Sequence, residues 1–338
     1  MIDKIISEDI QQVGKDSRMD AFKDVHVMVT GGAGFLGSYL CDVLVRLGAD
    51  VKCLDNFSTG LEKNIDHLFG QKNFALFKED VSNFEGGETY DYILHLASRA
   101  SPEDYQSYPI ETLRTNSFGT LKMLELAKKN DSTMLFASTS EVYGDATFIP
   151  TPETYWGVVN PIGVRSCYDE GKRFGEALVM AYHREYCLDT RIVRIYNTFG
   201  PRLRADGYYA RALSRFIEQA MKGEDITVYG DGTQTRAFCY VTDTVTGILL
   251  TLLSKRSRGD VINIGNQQEI TILELAKRIL KVVGSKSKIT FKPLPKDDPK
   301  RRCPDTTKAK LSLNWTPKTS FDVGLARTVE WFRQHHWP

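Results

Sequence analysis

The run Val25-His26-Val27-Met28-Val29, followed by TGGAGFLGS from Thr30 to Ser38, constrains this chain more than any other stretch. The first five residues have the apolar, β-branched character of a buried strand. An amphipathic run to Leu47 comes after the glycines, so strand, turn and helix start are laid down in that order. Gly31, Gly34 and Gly37 fall at G-x-x-G-x-x-G spacing. The first glycines let the backbone turn tightly and approach a pyrophosphate, and the last lets helix and strand pack closely. The helix N-terminus then turns free N–H groups and positive dipole toward phosphate. Spacing alone is weak evidence; the strand before it and the helix after it make dinucleotide binding the expectation.

The next strand, Asp50 to Leu54, ends at Asp55. A carboxylate there can accept hydrogen bonds from ribose hydroxyls and would repel a 2′-phosphate. No arginine adjoins it and Lys63 is the nearest base after it, so NAD is expected rather than NADP. A plain turn role for Asp55 before Asn56 fits the same geometry. Phe74 to Phe77 alternates like a third strand, and Asp80-Val81 after it reaches the adenine or caps a turn. Tyr92 to Leu96 reads as a fourth strand leading into Ala97-Ser98, Asn116 to Ala127 as an amphipathic helix, Met134 to Ala137 as a fifth strand and Thr190 to Tyr196 as another. Such alternation predicts a parallel sheet with helices on both faces. The fold class expected is α/β: a Rossmann-type doubly wound parallel sheet with a smaller, partly interleaved α/β substrate domain. Ligands bind such sheets at the carboxyl ends of the strands.

Thr139-Ser140-Glu141 sits at such an end. Downstream, Tyr168-Asp169-Glu170-Gly171-Lys172 places Tyr168 and Lys172 four apart, on one helix face. A free phenol titrates near 10 and is a poor base at neutral pH, but a nearby ammonium favours the phenolate. Such a tyrosine can take a proton from a hydroxyl whose carbon is being oxidised. Y-x-x-x-K is common by chance; the glycine motif upstream and Thr139 beside it give it weight.

Composition excludes several classes. Of 338 residues, 41% are hydrophobic and 26% charged, ordinary values for a globular chain. The formal charge of +1 gives no electrostatic case for nucleic acid or an anionic membrane. No apolar run approaches the ~20 residues needed to span a bilayer. Residues 1–18 have no signal-peptide form; Ile2, Ile5, Ile6, Ile10 and Val13 fall at roughly helical spacing, which predicts a short helix lying on the body or on a partner subunit. The six cysteines form no C-x-x-C pair and no zinc spacing, so no metal is expected and a reduced, cytoplasmic protein is the simplest reading. Cys167 adjoins Tyr168, but no histidine lies nearby to activate it.

After Asn197 the pattern changes. Short strands at Ile226 to Tyr229, Arg236 to Tyr240 and Asp260 to Ile264 interleave with helices at Tyr209 to Met221, Asp243 to Leu253 and Thr271 to Val283. Lys296 to Asp305, charged and proline-bounded, reads as a loop, and two weak amphipathic helices finish the chain. Arg202, Arg204, Arg236 and Arg302, with Asn197 and Gln234, lie at irregular places here, and arginine forks suit diphosphates.

These motifs together resemble the extended short-chain dehydrogenase/reductases, and among them the UDP-glucuronic acid decarboxylase (UDP-xylose synthase) family. The resemblance runs from about Val25 to Trp331 and is carried by TGGAGFLGS, LDNFSTG, LHLAS, ASTSEVYGD, YWGVVNPIGVRSCYDEGKR, RIYNTFGPR, TVYGDGTQTRAFCYV and DDPKRRCPD. It implies a cofactor set of Gly31, Gly34, Phe35, Leu36, Gly37, Asp55, Asn56, Asp80, Val81, Leu96, Ala97, Ser98, Asn116, Tyr168 and Lys172 holding NAD. The implied catalytic set is Tyr168, Lys172, Thr139, Ser140, Glu141 and Arg302. Tyr105, Asn197, Arg202, Tyr229, Gln234, Arg236 and Arg302 are implied to bind the UDP-sugar. The implied domains are an extension (1–24), an NAD-binding domain (25–197, also receiving about 236–265) and a nucleotide-sugar domain (198–235 and 266–338). A homodimer through a four-helix interface is implied too, with Phe174, Leu178 and Tyr182 as contributors that read equally well as core. Two departures stand out: Arg99 where the family has proline, and Cys303 where it has lysine.

The activity implied is oxidation of UDP-glucuronate at C4, loss of CO2 from the 4-keto intermediate, and re-reduction to UDP-xylose with no net redox change. Dehydratases of the group carry Asp-Glu where this chain has Ser140-Glu141, which argues against water loss. The alternatives are release of the 4-keto pentose, C4 epimerisation of UDP-glucuronate, a UDP-apiose/UDP-xylose synthase, or a non-catalytic NAD-binding regulator.

Overall fold

The computed structural model describes residues 2–206, 211–294 and 300–335. In chain order the strands are β1 (His26–Thr30), β2 (Asp50–Leu54), β3 (Phe74–Phe77), β4 (Tyr92–His95), β5 (Thr133–Thr139), β6 (Thr190–Ile195), β7 (Thr198–Phe199), β8 (Ile226–Tyr229), β9 (Thr235–Ala237), β10 (Cys239–Tyr240), β11 (Asp260–Ile264), β12 (Glu269–Thr271), β13 (Ile289–Lys292) and β14 (Arg301–Arg302). The helices are α1 (Lys4–Val13), α2 (Phe35–Arg46), α3 (Pro102–Ser107), α4 (Pro109–Arg114), α5 (Thr120–Asn130), α6 (Ser166–Tyr186), α7 (Ala212–Lys222), α8 (Val241–Leu253), α9 (Ile272–Val283), α10 (Thr307–Leu313) and α11 (Phe321–His335).

Seven strands form one parallel sheet in the order β3-β2-β1-β4-β5-β6-β11. The order reverses between β1 and β4, which opens a crevice at their carboxyl ends. Side chains alternate across the sheet because successive Cβ atoms point to opposite faces. Val27, Val29, Val51, Cys53, Leu94, Leu135 and Val193 face the core shared with α1, α2 and α8. Met28, Leu54, Ile93, Met134, Phe136 and Ile192 face the core under α5 and α6. Each large apolar side chain so buried contributes about 1.5–3 kcal/mol relative to exposure.

The second half builds smaller sheets: β12-β9-β14 and β13-β8, with β10 paired to β7. The chain then returns to the large sheet through α8 and β11. The strand expected over 236–240 is split, because Cys239 N turns to Asn197 O and leads β10 away from the sheet that holds β9. The expected loop over 296–305 contains a strand: β14 pairs in parallel with β9, setting Arg302 beside Arg236. Residues 296–299 of that stretch, and 209–210 of the helix expected from Tyr209, lie outside the described residues.

The helix expected from Asn116 also differs. A wide π turn over Thr115–Gly119 joins α4 to α5. Thr112, Ser117 and Thr120 hydroxyls each bond the carbonyl four residues back, competition that disturbs a regular helix. The N-terminal helix lies on the body, as its pattern predicts. Ile6, Ile10 and Val13 are buried, and Asp9 accepts from Tyr240 at 2.7 Å and from Arg327 at 3.0 Å.

Candidate active site

The glycine turn forms a cradle that side chains would fill. Gly31 has φ +68°, and a Cβ there would lie 2.9 Å from the Ala97 backbone; one on Gly37 would lie 2.1 Å from Gly31 O. The absent Cβ atoms bring β1, β4 and α2 together. Gly34 caps α2 without a side-chain acceptor, which leaves the first N–H groups of the helix facing the crevice. The adjoining cleft is lined by Gly31, Asp55, Asn56, Asp80, Val81, Leu96, Ala97 and Ser98, all expected from sequence, and by Arg99 and Thr115. Phe35 and Leu36 form the first turn of α2.

Asp55 is held in place by its own loop. Its carboxylate accepts from Ala33 N at 2.9 Å and Phe57 N at 2.8 Å, and burial raises its pKa above the ordinary value. Asp80 does cap a turn: it accepts from Ser82 N at 2.8 Å, and from the Asn56 amide at 2.7 Å. Both acids line the cleft as well, so turn role and lining role coincide. A cradle this tight and an acid at the end of β2 fit an adenine dinucleotide.

α6 crosses β5 closely because Gly175 meets the Phe136 ring, where a Cβ would lie 2.4 Å from Cζ, and Gly171 meets Asn116. This puts Tyr168 and Lys172 beside the end of β5, where Thr139 caps a short turn by accepting from Glu141 N at 3.3 Å. Tyr168 stacks on Tyr105, with ring centroids 4.9 Å apart and planes 3° from parallel. Asn116, buried on the π turn, leaves Oδ1 without a partner.

Lys172 Nζ donates to Ala137 O at 2.9 Å. Burial pushes the Tyr168 phenol up to about 12; Arg211 and the Thr139 hydroxyl act to lower it, but do not win. Burial also pulls the Lys172 ammonium down to about 7, against the charge of Glu176.

Glu141 is clamped. Arg165 Nη2 and Arg302 Nη2 each donate to its Oε2 at 2.5 Å, and Arg302 also reaches Oε1. Burial alone would raise the carboxyl, but the charges of Arg302, Arg165 and Arg236 win and hold it below its ordinary value. Ser140 is buried beside it. Arg236 donates to Thr235 O at 2.8 Å and is buried on β9. Asn197, after β6, has a buried Nδ2 without a partner. Tyr229 and Gln234 form a neighbouring pair: the Gln234 amide donates to Tyr229 O at 2.7 Å, and Tyr229 Oη accepts from Arg215.

Arg202 belongs elsewhere. Its guanidinium is buried in an ion pair with Asp42 of α2 at 2.6 Å and lies over the Tyr39 ring, so it ties the second half to the first rather than facing the site. Arg204 donates to Thr59 O and pairs with Asp206. Arg99 pairs with Asp104 at 2.5 Å and covers the Tyr108 ring at 4.2 Å. Cys303 is buried, with its thiol toward Gln267 O and its pKa raised to about 11 by burial. Its small side chain leaves Arg302 in register. Sequence reading passed over Arg165, Asp169 and Arg211. The first two share the α6 start with Tyr168, and helical spacing from Tyr168 was the signal available for them.

The comparisons agree with this geometry. Residues 28–328 match the family model described as GDP-mannose 4,6 dehydratase. A Xenopus tropicalis protein named UDP-glucuronic acid decarboxylase 1 is 48% identical over 91% of this chain and 72% of its own length. UDP-glucuronic acid decarboxylase 4 of Arabidopsis thaliana is 49% identical over 92% and 69%. Among solved structures, the Bacillus cereus UDP-glucuronic acid 4-epimerase, in complex with UDP-glucuronic acid and NAD, superposes with a TM-score of 0.83 at 28% identity, covering 91% of this chain and 99% of its own. With that cradle, Tyr168–Lys172 on α6 and relatives this similar, the chain belongs to the UDP-glucuronic acid decarboxylase family of extended short-chain dehydrogenase/reductases.

Proposed function

We propose that this protein decarboxylates UDP-glucuronate to UDP-xylose with a tightly held NAD. The clamp of Glu141 between Arg165 and Arg302, built next to Tyr168, carries this reading. Gly31, Gly34, Gly37, Asp55 and the residues lining the adjoining cleft would hold NAD, with Asn116 and Lys172 near the reacting end. NAD bound there supplies the oxidation and later re-reduction of C4.

Tyr168 takes the O4 proton of the sugar. Burial opposes ionisation of this phenol, and Arg211 and the Thr139 hydroxyl favour it. Once C4 is a ketone, the carboxylate on C5 belongs to a β-keto acid. The electron pair left by CO2 moves onto the C4 oxygen, toward Thr139 and the protonated Tyr168. A hydrogen-bond donor aimed at such an oxyanion contributes about 3 kcal/mol. Arg302 and Arg165 meet the carboxylate end, and Glu141 keeps both guanidiniums oriented. Asn197 offers its amide to the nucleotide, with Arg236 at the diphosphate, Tyr229 and Gln234 near the uridine side, and Tyr105 packed beside the sugar.

A C4 epimerase is the second reading, favoured by the Bacillus cereus neighbour. The decarboxylase relatives are the more similar in sequence. Incubating purified protein with UDP-glucuronate, without added NAD, and following the sugar nucleotide by NMR decides among UDP-xylose, released 4-keto pentose and the 4-epimer. The side chains of Ile110, Leu113, Phe118, Leu121 and Phe174 are exposed on α4 to α6 and suit a second copy of the chain. Tyr182 faces inward, its hydroxyl on Glu125, and Leu178 packs on the internal core. The six unpaired cysteines suit a reducing, cytoplasmic setting. No helix among the described residues is long and apolar enough to cross a membrane.

A further inference from the structure

Decarboxylation of a uronate consumes a proton. The C5–carboxylate bond breaks, its electron pair enters the enolate spanning C4 and C5, and CO2 leaves neutral. A C5–H bond must then form from that pair and one proton. Tyr168 is not the source, because the proton it takes from O4 returns to O4 when C4 is reduced. A second proton-bearing group has to serve the carboxylate end of the sugar.

The groups at that end are few among the described residues. Glu141 is kept ionised by Arg302 and Arg165. Guanidinium groups stay charged. The Tyr105 phenol is raised by burial and is too weak an acid. The Cys167 thiol is raised by burial too, and it points at Tyr105 O. Asp169 remains. Its side chain is 9% exposed, Oδ2 lies 3.8 Å from Arg165 Nε, and Oδ1 is buried with no hydrogen-bond partner. An unpartnered buried carboxylate oxygen is costly, and protonation is the usual relief.

We propose that Asp169 stores and supplies the proton that C5 receives. This rests on the decarboxylase reading above. Charge balance explains its timing. With Asp169 neutral, the two guanidiniums of Arg165 and Arg302 face two anions, Glu141 and the substrate carboxylate. When CO2 departs neutral, the negative charge moves from the carboxylate end to the enolate, and the guanidiniums, left facing one anion, make Asp169 a stronger acid as the enolate needs its proton. The proton leaves the Asp169 carboxyl, the C5–H bond forms with the enolate pair, and Asp169 is left ionised beside Arg165. Solvent reprotonates it after product release.

Burial, then the charge of Glu141, lifts the Asp169 carboxyl to about 7; Arg165 and Arg302 oppose this and Glu170 adds to it. A required acid gives a rate that falls as pH rises through its pKa. For the holoenzyme on UDP-glucuronate, kcat/KM should therefore fall above a midpoint of about 7. Lys172 titrates in the same range, so variants assign the limb. Asp169→Asn should lose it and lower kcat at least ~10-fold with KM within about twofold, and Asp169→Glu should restore the limb. Full activity in Asp169→Asn, or a limb that survives in it, overturns the proposal. Should Asp169→Asn not fold, the unmodified enzyme still decides: a flat kcat/KM from about pH 6 to about pH 9 overturns it. CO2 release by the unmodified enzyme with any of these failures sinks Asp169 alone; no CO2 from UDP-glucuronate sinks the decarboxylase reading with it.

Discussion

Glu141 and Arg302 stand 161 residues apart in sequence and meet as a bidentate pair, with side chains 14% and 10% exposed. The strand pairing that sets Arg302 beside Arg236 delivers the guanidinium to the end of β5. Removing one member of a buried pair strands the other, at about 3–5 kcal/mol. Glu141→Gln leaves two guanidiniums without their anion.

The expected result for Glu141→Gln is CO2 release reduced about 100-fold, with C4 oxidation reduced much less. Single-turnover absorbance of the nicotinamide, read beside CO2 release, separates the two steps. Equal loss of both would show that the clamp serves binding or folding rather than decarboxylation. Because the folded carboxyl is held below its ordinary 4.5, ionised Glu141 contributes stability at all pH values above that, and the contribution is lost as pH falls through the lower folded value.

Tyr168→Phe tests the chemistry without disturbing the packing. Phenylalanine keeps the stack on Tyr105, so the melting temperature should stay within about 2–4 °C, the equivalent of ~1 kcal/mol. Turnover of UDP-glucuronate should fall at least ~10³-fold with UDP binding retained. Binding measured by calorimetry beside product NMR checks both parts. Parent-like turnover would remove the base from the mechanism.

How much of this was readable beforehand follows from where each residue's partners lie. The cradle, Asp55, Thr139, Tyr168 and Lys172 belong to local patterns: a glycine spacing, a strand end, a helix face. Arg165 and Asp169 shared that helix face but carry no motif of their own without Glu141, which arrives from β5. The strand at Arg301–Arg302 was invisible because two charged residues have no strand periodicity; only β9 beside them makes a strand. Spacing shows that Tyr168 and Lys172 share a face, not how burial of both weighs against their attraction.

Arg202 is the case where an arginine in an irregular segment looked like a ligand-binding fork and is instead a tie between the halves of the chain. Its partner Asp42 is buried on α2 and also bonds His67 at 2.6 Å. Arg202→Met should destabilise the protein by about 3 kcal/mol, the low end for a buried pair because His67 keeps part of the contact. KM for UDP-glucuronate should stay within about twofold. Urea unfolding with steady-state kinetics checks it. A large rise in KM at unchanged stability would return Arg202 to the diphosphate.

Lys172 gives a pH dependence of the same sign as that of Glu141, in a higher window and from the strain of burial rather than from a stabilising pair. Lys172 is 3% exposed, and burial pulls its amine down to about 7 from an ordinary 10.5. Below about pH 7 it is charged in both folded and unfolded chains, and the cost of burying that charge is fully present. Between the two values the unfolded chain binds the extra proton, so stability rises with pH through that window and levels off above it. Lys172→Met has no such group. In nucleotide-free protein the variant should be the more stable at about pH 6, with its advantage shrinking steadily toward about pH 10. Urea midpoints across this range, at constant m-value, measure the difference directly. An advantage that stays constant or grows with pH would mean that the ammonium is stabilised by a partner rather than strained by burial. Turnover should be lost in the same variant, so a side chain that weakens the fold near neutral pH is kept for its place beside Tyr168.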